Sequence, residues 1–257
     1  LVARYFSLLL IALPAFAAVE GPGTNQFIQA SRTEHRIAVD GKLDEGDWAQ
    51  APAFDGFIQL FPNERATPTE RTELRVLYDN RNLYVGITCF DSKPEEVVRK
   101  LGRRDNPPTS DTVEVYIDSA HDHSTAYAFG VNAGGVQFDT LWFADNKSTV
   151  EWDAVWDAAV QQRQDGWSVE LAIPLHHLRF PVADVQTWGF AVMRHLARTH
   201  EDISSVYIPR ESSGKVSRFG HLTGLKALRP QRDVSLQPYA AARLVLQPQF
   251  SSPARPD

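Results

Sequence analysis

The chain reads as an all-β protein, an antiparallel β-sandwich of jelly-roll type with only short helical turns. Three observations predict this. About ten short segments alternate apolar and polar residues at period two. They recur at intervals of roughly 8 to 15 residues, with Gly, Pro, Asn and Asp clustered between them. No stretch keeps a helical period for more than about two turns.

The chain has 257 residues, enough to bury a full core within one sandwich domain. Hydrophobic residues at 43% and charged residues at 23% describe an ordinary globular composition. The net charge of -6 excludes nucleic acid as an expected partner, because phosphate binding needs a basic face. Cys89 is the single cysteine, so no intramolecular disulfide forms, and its place on an apolar strand reads as packing.

Residues 1–17 read as a signal peptide whose start is incomplete, since Leu1 is not Met. Arg4 gives a positive n-region, Phe6 to Leu13 an apolar h-region, and Ala15-Phe16-Ala17 a small-residue cleavage site. The apolar run is well under the roughly 20 residues of a spanning helix. Export to the periplasm or outer membrane, with cleavage after Ala17, is the expectation. Residues 18–34 read as a linker, 35–225 as the sandwich domain, and 226–257 as a second linker. That last part contains an alternating piece from Val234 to Leu246.

Within the domain, His35 to Val39 is expected as a short strand, followed by an Asp40-Gly41 turn and a helical turn opened by Asp44. Trp48 then folds back as a buried clamp. Phe54 to Phe61 reads as an edge strand before a polar loop. Leu74 to Tyr78 and Leu83 to Cys89 form a hairpin around Asp79 to Asn82. Pro94 to Val98 is a helical turn leading into a basic loop with Arg99, Lys100, Arg103 and Arg104. Ser110 to Asn146 is a three-stranded meander. On its first strand Val113, Val115 and Ile117 face one way, and Glu114, Tyr116 and Asp118 face a free, polar side. Trp152 to Val160 and Trp167 to Ile173 make another hairpin, Trp188 to His195 and Ser204 to Ile208 two more strands, and Gly220 to Leu225 closes the fold.

Four ordered motifs carry a family resemblance: Ile37 to Trp48, Leu77 to Gly86, Asp111 to Asp118 and Gly166 to Pro174. From Ile37 to about Leu225 the chain resembles family 9 carbohydrate-binding modules. It is most similar to the version that precedes a predicted outer-membrane β-barrel, and the tracts Asp153 to Trp156 and Trp188 to Arg194 also fit that version. The resemblance implies a sandwich that binds glycans non-covalently and catalyses nothing. The chain's partners would be a glycan or oligosaccharide and its own C-terminal barrel, which would begin near Val234.

Sugar recognition combines an aromatic face for the C–H side of the ring with charged or amide groups for hydroxyl pairs. The residues that offer this are Arg103, Arg104, Asp111, Asn132, Asp139, Trp142 and Trp152. Trp48, Trp167 and Trp188 fall on inward phases and read as core, while Trp156 fits either role. The turn Asp118 to His123 offers Asp118 and Asp122 to a Ca²⁺ ion, but Ca²⁺ wants six or more oxygens and a plain polar hairpin turn is the better explanation of these residues. His121 and His123 lack a visible third ligand for a transition metal. No other cofactor is indicated. Three alternatives stand beside the glycan reading. A docking or plug domain would bind its barrel without sugar affinity. A haem-binding sandwich would use Met193 as axial ligand, although a lone Met on a strand usually packs. A hydrolase would pair Glu114 with Asp139, yet nothing sets their pKa values apart.

Overall fold

The structure, a computed structural model, describes residues 26–230. The expected signal peptide and the Val234–Leu246 piece lie outside the described residues. Among those described, thirteen strands, one five-residue α-helix and three 3-10 turns follow one another.

The strands form two packed sheets. The first contains β5 (Thr112–Asp118), β6 (Ala126–Asn132), β7 (Gln137–Phe143), the short β8 (Lys147–Thr149), β11 (Val185–Leu196) and β13 (Gly220–Lys226), in the order β8-β7-β6-β5-β11-β13. The second half of β11 also pairs with β12 (Glu201–Ser204), which pairs with β2 (Ile58–Phe61). The second sheet contains β3 (Thr72–Tyr78), β4 (Asn82–Phe90), β10 (Gly166–Pro174) and β9 (Asp157–Arg163), in the order β3-β4-β10-β9. The meander is β5-β6-β7, as its alternation predicts.

β1 (Phe27–Arg32) joins the two sheets. Phe27 to Gln29 pair with His221 to Thr223 of β13, and Ala30 to Arg32 pair with Val76 to Tyr78 of β3, both in parallel. Every other pairing between strands is antiparallel. This strand lies in the stretch expected as a linker, and order begins before His35. Ile28 and Ala30 are its inward phase, a pattern too short to stand out among the neighbouring polar residues. Where β1 leaves β13, Gly224 has φ +85 and a Cβ there would lie 2.4 Å from the Ala30 carbonyl oxygen. Only glycine allows that approach.

The core between the sheets takes the inward phases: Val113, Val115 and Ile117 from β5, Phe129 and Val131 from β6, Trp188, Phe190 and Val192 from β11, and Val85, Ile87, Trp167, Val169 and Leu171 from the other sheet. Cys89 lies there too, and burial pushes its thiol up to about 12, which leaves no thiolate for chemistry. A buried cation closes one end. Arg194 projects from β11 across to the second sheet and donates to the Arg71 carbonyl at 3.1 Å, Thr72 Oγ1 at 3.0 Å and the Phe90 carbonyl at 2.9 Å.

Both outer faces are partly roofed, so the polar side of the meander is not free. Tyr116, Ala126, Ala128 and Ala191 are covered by Val206, Val216 and Phe219 from the connection between β12 and β13. The strand expected over Ser204 to Ile208 is therefore displaced: β12 runs from Glu201 to Ser204, and Val206 turns onto this roof. Similarly, Trp152 to Trp156 is not a strand, and β9 starts at Asp157.

On the second sheet's outer face, Ile37, Trp48 and Ala51 cover Leu77, Tyr84 and Ala172. His35 to Val39 pairs with no strand and serves as part of this cover. The helix α1 (Gly46–Gln50) begins one residue later than expected, with Glu45 as its N-cap. Its anchor is the buried Glu170 carboxylate, which accepts N–H groups from Asp40 at 2.9 Å, Gly41 at 2.7 Å and the Trp48 indole at 2.9 Å. Gly41 has φ +86 and presses against β9, 2.8 Å from the Gln161 nitrogen at its Cβ position.

Truncating Glu170 orphans three donors at once, one of them a buried indole. Glu170→Ala is expected to lower unfolding free energy by about 3 kcal/mol in urea titrations read by tryptophan fluorescence. A loss below about 1 kcal/mol would mean that the carboxylate does not anchor the cover.

Candidate functional site

The residues singled out in the sequence separate into several places. Asp111 is buried beside the Arg194 end, where its carboxylate accepts the Ala197 N–H at 3.2 Å and the Val98 N–H at 3.4 Å. Burial raises its pKa, with the Ala197 N–H and the Arg194 charge pulling the other way. Asn132 is also buried and ties the β6–β7 turn, accepting N–H groups from Gly134 and Val136 and donating to the Lys100 carbonyl at 2.9 Å. Neither side chain faces solvent.

Asp139 points inward from β7, opposite Phe129. It accepts the Trp156 indole N–H at 3.0 Å, the Ala154 N–H at 3.2 Å and Arg104 at 2.5 Å. Arg104 also donates to the Ala154 carbonyl at 2.7 Å and Gln137 at 2.9 Å. This knot fixes the segment before β9, which explains why Trp156 is buried. Arg103 stays exposed in its loop. Glu114 sits on the outer phase of β5 while Asp139 points into the core side, so the carboxylate pair of a hydrolase does not face itself.

Trp152 packs on Tyr127 and Phe129, with ring centroids 5.1 and 5.7 Å away, at the edge of the inner core. Trp142 lies on the opposite face of the first sheet, with the outer cluster. The two rings therefore cannot share one sugar. In the β5–β6 turn, Asp118 accepts the Asp122 and His123 N–H groups at 3.1 and 2.9 Å, and Asp122 accepts those of Ser124 and Thr125 at 2.8 and 2.7 Å. Both carboxylates are engaged in holding the turn. No group of three or more His, Cys, Asp or Glu among the described residues is arranged around a metal position.

Trp142 does enter a groove, of about 700 Å³, on the outer face of β5, β11 and β12 where the roof stops. Its floor carries Glu114, Tyr116, Met193 and His195, and its walls Phe61, Asp202, Arg210 and Lys215. The Tyr116 ring meets Trp142 edge-on with centroids 6.0 Å apart. Tyr116 donates its hydroxyl proton to Glu114, and Lys215 Nζ donates to the Tyr116 hydroxyl at 3.0 Å. The ammonium also lies 3.9 Å from the Trp142 ring centre and 4.2 Å from that of Tyr116. His195 Nδ1 and Asp202 Oδ1 are 2.7 Å apart along one side. Met193 packs on the outer cluster beside them.

Lys215 is held in place by its backbone, because Asp145 of the β7–β8 turn accepts N–H groups from Lys215 at 3.0 Å and Ser217 at 2.9 Å. Burial lowers the ammonium pKa to about 8, against the pull of Glu114. The groove thus offers aromatic edges and faces, a carboxylate joined to a phenol, a second carboxylate and the cations of Lys215 and Arg210. Those are the elements that take a polyhydroxylated ring. Glu114 and Tyr116 are legible from the strand's outward phase. Lys215 and Arg210 come from a connection without periodicity and Asp202 from the four-residue β12, too short to show alternation, so no sequence signal marks them.

A larger groove, of about 1110 Å³, runs along Thr33 to Val39 and the Asp79 to Asn82 turn. Its one aromatic ring, Tyr84, is buried and its hydroxyl is already bonded to Asp79 and Asn82. Size therefore does not single it out for a sugar, and chemistry favours the Trp142 groove.

The Lys215 shift has a signed consequence for stability. The folded protein releases this proton near pH 8 and the unfolded chain near 10.5, so between those values the unfolded state binds more protons and stability rises with pH. Relative to Lys215→Met, the wild-type unfolding free energy is expected to climb by on the order of 3 kcal/mol across that window. Parallel curves for the two proteins would contradict the burial of a titrating ammonium.

Comparison with known proteins follows the same architecture. The family model "Carbohydrate family 9 binding domain-like" matches residues 39–222. No curated protein matches the chain. A carbohydrate binding module family 9 from Caldicellulosiruptor kristjanssonii, solved with cellotriose, superposes with a TM-score of 0.55 at 18% identity, covering 84% of this chain and 100% of that one. Its complex with glucose gives a TM-score of 0.55 over 82% of this chain and 99% of that one. A Bacteroides uniformis protein gives 0.60 at 12% identity, over 78% of this chain and 99% of its own. With its model matched over well more than half of the sequence, this chain belongs to the carbohydrate family 9 binding domain-like family.

Proposed function

We propose that the domain is a non-catalytic carbohydrate-binding module whose ligand lies in the Trp142 groove. One observation carries the reading: aromatic rings, the carboxylates of Glu114 and Asp202 and the cations of Lys215 and Arg210 line a single open groove on the outer face of the meander. Family membership supports it, as do the structural neighbours holding cellotriose and glucose. In this reading an oligosaccharide lays its C–H face on Trp142 while Glu114, Asp202 and Lys215 take hydroxyls in pairs. The Lys215 ammonium now covers part of the aromatic surface, so an arriving sugar shares or displaces that cation.

The same proposal puts the module outside the cytoplasm, in front of an outer-membrane barrel, because of the signal-like run ending at Ala17 and the alternating piece from Val234. Expression with its leader in a double-membraned bacterium, followed by N-terminal sequencing, should return a product beginning at Ala18. An uncleaved product retained in the cytoplasm would contradict export.

Glycan binding is tested on an array followed by calorimetry. The expected result is a saturable ligand whose affinity falls at least tenfold, about 1.4 kcal/mol, in Trp142→Ala and Glu114→Gln, and stays within twofold in Trp152→Phe. If no glycan bound, the docking reading would replace this one. If Trp142→Ala bound as wild type, the groove would be the wrong site.

A further inference from the structure

The charges that line the Trp142 groove differ in how far the protein itself answers them. Glu114 accepts the Tyr116 hydroxyl proton, and Asp202 is hydrogen-bonded to His195 at 2.7 Å. Lys215 and Arg210 have no such counterpart. Lys215 Nζ donates to the Tyr116 hydroxyl at 3.0 Å and otherwise lies against the rings of Trp142 and Tyr116. The Arg210 guanidinium donates to the Pro62 and Leu60 carbonyls at 2.6 and 3.1 Å and lies over the Phe61 ring. Glu64 accepts the backbone N–H of Arg210, not its side chain. Among the described residues neither cation forms an ion pair.

An ammonium withdrawn from water without a counter-ion is costly to keep charged, and burial accordingly lowers the Lys215 pKa to about 8. At neutral pH it is still a cation, and an arriving anion offsets part of that cost. The whole chain has a net charge of -6, so unanswered positive charge in one groove is a local feature of this surface. Resting on the reading that a saccharide occupies the groove, we propose that its ligand is acidic, an oligosaccharide of uronic acid residues. The carboxylate of the ring lying on Trp142 meets Lys215, and Arg210 offers its planar fork to a second carboxylate along the chain. A uronate carries its charge on the exocyclic carbon and keeps its ring hydroxyls. Glu114 and Asp202 need those hydroxyls as donors, because ionised carboxylates only accept. A sulfate ester would consume one of them.

The test is calorimetric titration at pH 7 with trigalacturonate, its fully methyl-esterified form and cellotriose. Trigalacturonate is expected to bind at least tenfold tighter than either neutral ligand. Its affinity should fall at least tenfold in Lys215→Met and at least threefold in Arg210→Gln, and stay unchanged in Arg36→Gln, whose cation lines the other groove. Arg210 is exposed, so its variant tests the charge with the fold intact. Neutral ligands that bound as tightly as trigalacturonate, and were lost in Trp142→Ala, would overturn the acidic class and leave the groove as a sugar site. Equal affinity of wild type and Lys215→Met for trigalacturonate would overturn it as well. If no saccharide bound, the reading of the groove as a sugar site would fall and this inference with it.

Discussion

The Arg194 guanidinium is the constraint on which much of the molecule depends. It is a charge placed between two apolar sheets, where hydrogen bonds and nearby opposite charge offset the cost of burial; its two terminal nitrogens are bonded, while its buried Nε has no partner. Carbonyls of Arg71 and Phe90 and the Thr72 hydroxyl meet it from the second sheet, so the cation links β11 to the ends of β3 and β4. The neighbouring Asp111 fixes Ala197 and Val98, and Arg198 reaches Asp91 at 3.0 Å just beyond. Polar groups at this end are committed to closing the sandwich and are withdrawn from ligand binding.

The same economy recurs elsewhere. Asp139 with Arg104 secures the segment before β9, and Glu170 with Trp48 secures the cover on the second sheet. Each buried carboxylate collects backbone or indole N–H groups from a segment with no strand partner of its own. Among the described surfaces, the one whose chemistry suits a sugar is the outer face that the roof leaves open beside the edge pair β2-β12. That gap is the Trp142 groove, and its depth follows from how far the connection between β12 and β13 extends over β5.

The hairpins and the meander were legible in the sequence because alternation at period two is a direct record of one buried and one outer face. Val113, Val115 and Ile117 illustrate it, as do Trp167, Val169 and Leu171. Features that do not alternate were not legible. β1 is half of one sheet and half of the other, His35 to Val39 packs without pairing, and Ser204 to Ile208 alternates but serves as roof. The candidate site was legible only in part, for a related reason. Charged residues beside a strand signal polarity, but whether Asp111 and Asp139 face solvent or a buried N–H is settled by chain segments far away in sequence. Trp142 and Trp152 flank one loop in sequence, yet the outward phase of β7 puts Trp142 on the outer face while Trp152, outside any strand, packs at the edge of the inner core. Lys215 reaches the groove through the backbone anchor at Asp145, and no local pattern announces it.

The central claim is that this uncovered outer face is where a sugar sits. It is tested most directly by two-dimensional ¹H–¹⁵N NMR of the labelled domain titrated with the tightest-binding array glycan. Saturable shifts of the Trp142 indole and of the Glu114, Tyr116 and Lys215 amides are expected, with the Trp152 indole and the amides of Thr33 to Val39 unmoved. Shifts centred on Trp152 or on the Thr33 to Val39 groove would contradict the account.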